Sequence, residues 1–200
     1  MIETLNNLDT QLFYFINGLH CPAMDWVMWV LSARWSWLMV IMAAFGLATL
    51  RREPKRWWLL LAAIGLCFLL ADRGSVMLFK DTVCRLRPCH ALENVHMFRE
   101  GCGGQYGFIS SHAANAFAIA MLFFLRYRRK RSAGGSKASR WVSVGMPVWA
   151  LLTSYSRAYL GKHYPGDLLC GALFGLLIGW LVYRIVVGAE KKLSKTETKK

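Results

Sequence analysis

Five stretches of the chain, near residues 26–50, 57–78, 108–126, 141–158 and 167–187, are strongly apolar over windows of about 19 residues. A helix needs about 20 such residues to cross the hydrocarbon core of a bilayer, where each backbone amide must bond within its own segment. With 56% of its 200 residues hydrophobic, the chain is more apolar than an ordinary soluble domain. The expected fold class is all-α, a polytopic membrane helix bundle of about five transmembrane helices.

The first 24 residues follow another pattern. Leu5, Leu8, Leu12, Phe13, Phe15, Ile16 and Leu19 alternate with Asn, Thr and Gln, as in an amphipathic helix lying in the membrane interface. The start has neither the basic region nor the cleavage site of a signal peptide, so this segment is expected to remain in the mature protein. Residues 1–188 read as a single membrane domain, and 189–200 as a basic cytoplasmic tail that frays or lies on lipid.

A net charge of +14 raises the question of nucleic acid, but the cations sit in short connections between spans. Arg51, Arg52, Lys55 and Arg56 form one cluster, residues 126–140 hold seven more cations without an acid, and the tail adds Lys191, Lys192, Lys195, Lys199 and Lys200. Such loops mark the cytoplasmic side and touch anionic lipid; no nucleic-acid motif accompanies them, and no nucleic-acid partner is expected. Connectivity then puts residues 80–107, residues 157–167 and the amino terminus on the outer side. Residues 132–139, Gly and Ser flanked by cations, read as a flexible connection.

Cys67 and Cys170 fall inside spans, whereas Cys21, Cys84, Cys89 and Cys102 fall on the outer side, where oxidation is possible. Cys89 and Cys102 bracket a glycine-rich loop and are expected to pair, although four thiols permit three complete pairings. Cys84, Cys89, His90, His96 and Cys102 are also zinc-ligand types, but their spacing fits no zinc template, and unliganded loop residues are expected. Gly171, Gly175 and Gly179 repeat every four residues along the last span. That stripe suits close packing inside the bundle, with a dimer contact as the alternative, and leaves the oligomeric state open.

Three short stretches at the outer ends of spans carry the chemistry. Lys80 and Arg87 are seven residues apart, two helical turns, so both could project from one helix face before Pro88 turns the chain away. Ser110, Ser111 and His112 open an apolar helix, where serines cap backbone amides and the same amides and hydroxyls suit an anion. Arg157 and His163 precede Asp167, which lies in the first turn of the last span. A carboxylate four residues from an imidazole can fix its tautomer. Taken singly, each has an ordinary reading: snorkelling cations, a helix cap, an interfacial histidine, a helix-start carboxylate. Gathered beside a hydrophobic wall, the cations are expensive unless something anionic binds among them, and phosphate is the expected anion.

In order and spacing these residues resemble the type 2 phosphatidic acid phosphatase superfamily of membrane lipid phosphatases. Lys80 with Arg87-Pro88 matches the family's first motif in full, and Ser156-Arg157, His163 and Asp167 match the third. In the second, Ser110 and His112 match, while Ile109 stands for the family's Pro and Ser111 for its Gly. Leu8-Asp9, Leu12-Phe13 and Ile16-Asn17 are similar to the first helix of small bacterial members.

The resemblance implies phosphate-ester hydrolysis without metal or other cofactor. His163 would be the nucleophile, oriented by Asp167, and His112 the acid and then the base for water. Lys80, Arg87, Ser110, Ser111 and Arg157 would bind the phosphoryl oxygens. It further implies a lipid phosphate substrate met at the periplasmic face of an inner membrane. Lipid A is expected first, with undecaprenyl diphosphate or phosphatidylglycerophosphate as alternatives. A phosphate-lipid binding or transport protein without turnover is the competing class, and the His163 and Asp167 pair argues against it.

Overall fold

A computed structural model describes residues 2–49, 57–99, 101–132 and 137–197, and its regular structure is helical throughout. In chain order the elements are α1 (Ile2–Asn17), α2 (Pro22–Ser32), α3 (Arg34–Thr49) and α4 (Trp57–Ser75), then a π-helical turn (Val76–Lys80) and α5 (Asp81–Val83). After these come α6 (Pro88–Ala91), α7 (Ser111–Ser132), α8 (Lys137–Tyr159) and α9 (Pro165–Glu197). The molecule is an all-α membrane helix bundle. The stretches Trp57–Val83 and Pro165–Glu197, of 27 and 33 residues, are each long and apolar enough to cross a bilayer. Helices α7 and α8, of 22 and 23 residues, also match a hydrocarbon core of about 30 Å at about 1.5 Å per residue, although polar and cationic residues lower their hydropathy.

The window over residues 26–50 departs from expectation, because α2 and α3 form a pair bent by 61° and not one straight helix. The break falls at Ala33, whose backbone is extended (ψ 139°). At Ala33 itself the backbone is satisfied: its N–H donates to Trp29 O and Val30 O, and Ser36 Oγ donates to Ala33 O at 2.8 Å. Within lipid that satisfaction is what makes a break tolerable. The bend also turns Ser32 inward, where it receives a hydrogen bond from Arg157 Nη1.

Helix α7 is the axis of the bundle and packs on α4, α8 and α9. Its core is built largely of small side chains, with Ala113, Ala114, Ala116 and Ala118 fully buried. Gly171 lies against the backbone at Ser110, just ahead of α7, and Gly175 and Gly179 against α7 at Ala114 and Ala118, where a Cβ on α9 would collide with the facing carbonyls. The glycine stripe therefore serves packing within the chain. Leu169, Leu173, Leu177, Leu181 and Ile185 point outward from α9, 40–63% exposed. In water such a stripe would be an aggregation liability; against lipid it is an ordinary outer surface.

Residues 189–197, expected to fray or to lie on lipid, continue α9 as helix, and Arg126 Nη1 donates to Glu190 Oε1 at 2.7 Å across the bundle. Arg51, Arg52, Lys55, Arg56, Lys199, Lys200 and residues 133–136 of the glycine-serine connection lie outside the described residues. On the expected outer side, Cys89 and Cys102 are joined as a disulfide with Cα atoms 5.8 Å apart. His96 Nε2 meets Asp25 Oδ1 at 3.0 Å, and among the described residues no three His, Cys, Asp or Glu side chains are placed to hold a metal ion.

Candidate active site

The three sequence stretches meet at one end of the bundle, where α4, α7 and the turn between α8 and α9 come together. Lys80 and Arg87 arrive there, but not from one helix face as their spacing suggests. The helix stops at Val83, Cys84 adopts a left-handed conformation (φ 51°), and Arg87 is extended (φ −71°, ψ 154°). Helix at Arg87 is opposed by Pro88. Arg87 is held by the returning chain: its N–H donates to Gln105 O at 3.1 Å, Nε donates to Tyr106 O at 3.3 Å, and Leu86 pairs with Tyr106.

Lys80 Nζ donates to Ser111 Oγ at 2.7 Å, and Ser111 Oγ lies 2.6 Å from Ser75 Oγ. Since Ser75 Oγ donates to Asp72 O, the proton order runs from Lys80 through Ser111 and Ser75 to a backbone carbonyl. Ser111, which stands where the family has Gly, thus anchors the lysine. Ser110 sits behind it as the helix cap: its Oγ accepts from the Ala113 N–H at 3.4 Å, and its own N–H donates to Asp167 O at 3.1 Å.

Asp167 is completely buried and heavily engaged. Its Oδ1 accepts from Arg85 Nη1 at 2.9 Å and its Oδ2 from the Tyr164 N–H at 3.1 Å. His163 Nδ1 lies 3.6 Å from Asp167 Oδ2, adjacent but beyond bonding distance, and among the described residues this nitrogen has no hydrogen-bond partner. Burial, and then the nearby charges of Arg87, Arg157 and Lys80, push the His163 pKa well below the ordinary imidazole range. This favours the neutral ring, the form able to act as a nucleophile.

Reasoning from sequence missed the clamp behind Asp167. Arg85 Nη2 donates to Asp9 Oδ2 at 2.8 Å, Asp9 Oδ1 accepts from the Gly166 N–H at 2.7 Å, and the Arg85 guanidinium stacks on the Tyr164 ring at 3.9 Å. Burial pulls the Arg85 pKa down, but Asp167 and Asp9 more than offset it, so it ends above its ordinary value. The helix expected to lie in the interface thus reaches into the site through Asp9. The available signals were an acid on an otherwise uncharged stretch of that helix and the likeness of Leu8-Asp9 to the first helix of small bacterial family members.

Lys80, Arg87, Ser111, His112 and His163 line one cavity of about 1000 Å³. Ser110, Arg157 and Asp167 stand behind this lining. The remaining wall is mostly apolar, formed by Leu38, Ile41, Met42 and Phe45 of α3 and Leu61, Ile64, Phe68 and Leu69 of α4. The site thus combines a cationic floor bearing two imidazoles with a flank suited to hydrocarbon.

A bundle of this kind with such a floor defines a membrane hydrolase of phosphate esters. The PAP2 superfamily model matches residues 56–191, and the chain belongs to that superfamily as a lipid phosphatase. It is 35% identical over 190 residues to the lipid A 4'-phosphatase of Bacteroides thetaiotaomicron, covering 92% of this chain and 80% of that protein. It is 29% identical over 199 residues to the lipid A 4'-phosphatase of Porphyromonas gingivalis, covering 96% and 78%. Among solved structures, the PAP2-type phosphatidylglycerophosphate phosphatase of Bacillus subtilis shares the fold, with a TM-score of 0.66 at 22% identity over 94% of this chain and 87% of that one.

Proposed function

We propose that this enzyme removes the 4'-phosphate of lipid A at the periplasmic face of an inner membrane, through a phosphohistidine on His163. The observation that carries this reading is the shared cavity, which sets Lys80, Arg87, Ser111, His112 and His163 at the end of an apolar groove. A phosphate there would leave its acyl chains against α3 and α4. The choice of lipid A over undecaprenyl diphosphate or phosphatidylglycerophosphate rests on the two relatives of that activity, each matched over nearly the whole of this chain.

In the first step the imidazole nitrogen of His163 remote from Asp167 bonds to phosphorus, and the bond from phosphorus to the sugar oxygen breaks. His112 gives its proton to the departing alkoxide. In the second step His112 takes a proton from water as the water oxygen bonds to phosphorus, and the nitrogen–phosphorus bond breaks to release phosphate. Lys80, Arg87 and Arg157, with Ser110, Ser111 and nearby amides, offset the charge on the equatorial oxygens. Asp167 orients His163; contacts of this kind are often long without substrate and tighten in the complex.

The outward orientation is supported by the two ends of α7. Ser111 and His112 begin it, whereas Arg126 lies towards the other end, paired with Glu190 late in α9. Residues 1–188 then form the phosphatase domain, and 189–200 a basic cytoplasmic extension.

The direct test is to mix purified enzyme with lipid A labelled with ³²P at the 4'-position, quench under alkaline conditions that preserve phosphohistidine, and map the label. Label on a peptide containing His163, absent from His163→Ala, is expected. Label released at an undiminished rate by the variant refutes the nucleophile, and stoichiometric lipid binding without hydrolysis points to a binding protein.

A further inference from the structure

Two polar groups beside the cationic floor are left without partners. Trp37 and Asn115 both line the cavity and are 6% and 7% exposed. Trp37 Nε1, a donor, and Asn115 Oδ1, an acceptor, are buried with no hydrogen-bond partner among the described residues. A buried polar atom left unpaired is unfavourable, and native proteins rarely tolerate one that serves nothing.

Their positions are specific. Asn115 lies one helical turn beyond Ser111 on α7, on the same face. The Trp37 indole stands edge-on to the His112 ring, with centroids 5.5 Å apart, so it abuts the group expected to protonate the leaving oxygen. Asp72 lines the same cavity two turns before Lys80 on α4 and brings a carboxylate that can accept hydroxyl protons. Together these groups form a second tier beside the phosphate, between the cations and the hydrocarbon wall. The Asn115 amide rotates about a soft terminal torsion and can turn either its oxygen or its nitrogen towards a ligand.

A ligand for this tier must both donate and accept hydrogen bonds next to its phosphate. In a polyprenyl diphosphate the reacting phosphate is followed by a second, ionised phosphate that accepts hydrogen bonds but donates none, and then by hydrocarbon that does neither, whereas a sugar carrying hydroxyl and amide groups can do both. Resting on the phosphatase reading above, we infer that Trp37 and Asn115, supported by Asp72, form a headgroup subsite that selects phosphorylated N-acyl saccharolipids over polyprenyl diphosphates.

The test compares full-length enzyme with Trp37→Phe and Asn115→Ala in detergent, on a phosphorylated N-acyl glucosamine lipid and on undecaprenyl diphosphate, with melting temperature recorded for each protein. The expected result is a fall of about tenfold or more in the ratio of kcat/KM for the saccharolipid to that for the polyprenyl lipid, as for a site that loses one substrate hydrogen bond. An unchanged ratio, with equal losses or none, overturns the subsite while leaving the phosphatase reading intact. Loss of a cooperative melting transition in both variants also overturns it, since the groups would then serve the fold. Wild-type enzyme that hydrolyses neither lipid overturns the phosphatase reading and the subsite with it.

Discussion

The two sides of Asp167 are built on opposite principles. Behind it, Asp9, Arg85, Tyr164 and Gly166 bond to one another and to the carboxylate, an arrangement that holds geometry. In front, Lys80, Arg87, His112 and His163 face a cavity, and among the described residues His163 Nδ1 has no hydrogen-bond partner. Polar groups that satisfy each other make a scaffold; those held apart from counter-charges remain available to a ligand. Binding an anion thus falls to one face of an internally bonded clamp.

The comparison breaks most visibly on the cavity side. Lys80→Ala should lower kcat/KM by about 10²–10³-fold, as for deletion of one charge-stabilising donor, while the melting temperature barely moves because the clamp is intact. A large loss of stability with a small loss of activity would invert the roles of the two sides. On the clamp side, Asp9→Ala removes the acceptor for both Arg85 and the Gly166 N–H. It should destabilise the protein by about 1–3 kcal/mol and reduce kcat by about tenfold, by letting Asp167 and His163 drift from the productive geometry. Detergent melting and steady-state kinetics on the same preparations decide both.

The neutral state of His163 sharpens the same contrast. Its pKa in the fold lies below that of a free imidazole, so the neutral nucleophile is retained as pH falls through about 6.5, the ordinary value. By linkage, the stability this group contributes is fully present above the unfolded-state pKa and is lost as pH falls below it. Titration of the ¹⁵N imidazole signals in detergent, assigned by their absence in His163→Gln, should find this ring still neutral at pH 6. A protonated ring at that pH would mean that a ligand-free cationic floor does not depress it.

How much of this was legible from sequence varies with the range of the interaction. The apolar windows and basic loops announce a membrane bundle because lipid imposes a local rule on each segment. The three motifs announce the site because their chemistry is carried by residue type and spacing. The bend at Ala33 is not legible there, since hydropathy averages over it and the contact it allows, Arg157 with Ser32, spans 125 positions. Spacing alone puts Arg87 on a helix face, whereas its real support is the returning chain at Gln105 and Tyr106. Asp9 bonding to Arg85, 76 residues away, and the unpaired atoms of Trp37 and Asn115 are tertiary facts with no periodic signature.

The smallest effect on activity is expected at the disulfide. The Cys89–Cys102 bond closes the loop that leads into Gln105 and Tyr106, and those residues hold Arg87. Chain-entropy scaling assigns about 3 kcal/mol to a loop of about 15 residues, so reduction or Cys102→Ser should lower the melting temperature clearly. The backbone bonds to Arg87 survive without the sulfurs, however, and kcat/KM should fall only about threefold, equivalent to less than 1 kcal/mol in the transition state. A loss as large as that of Lys80→Ala would show that the loop, and not the Leu86 pairing with Tyr106, fixes the arginine. The boundary between clamp and cavity would then have to be redrawn to include it.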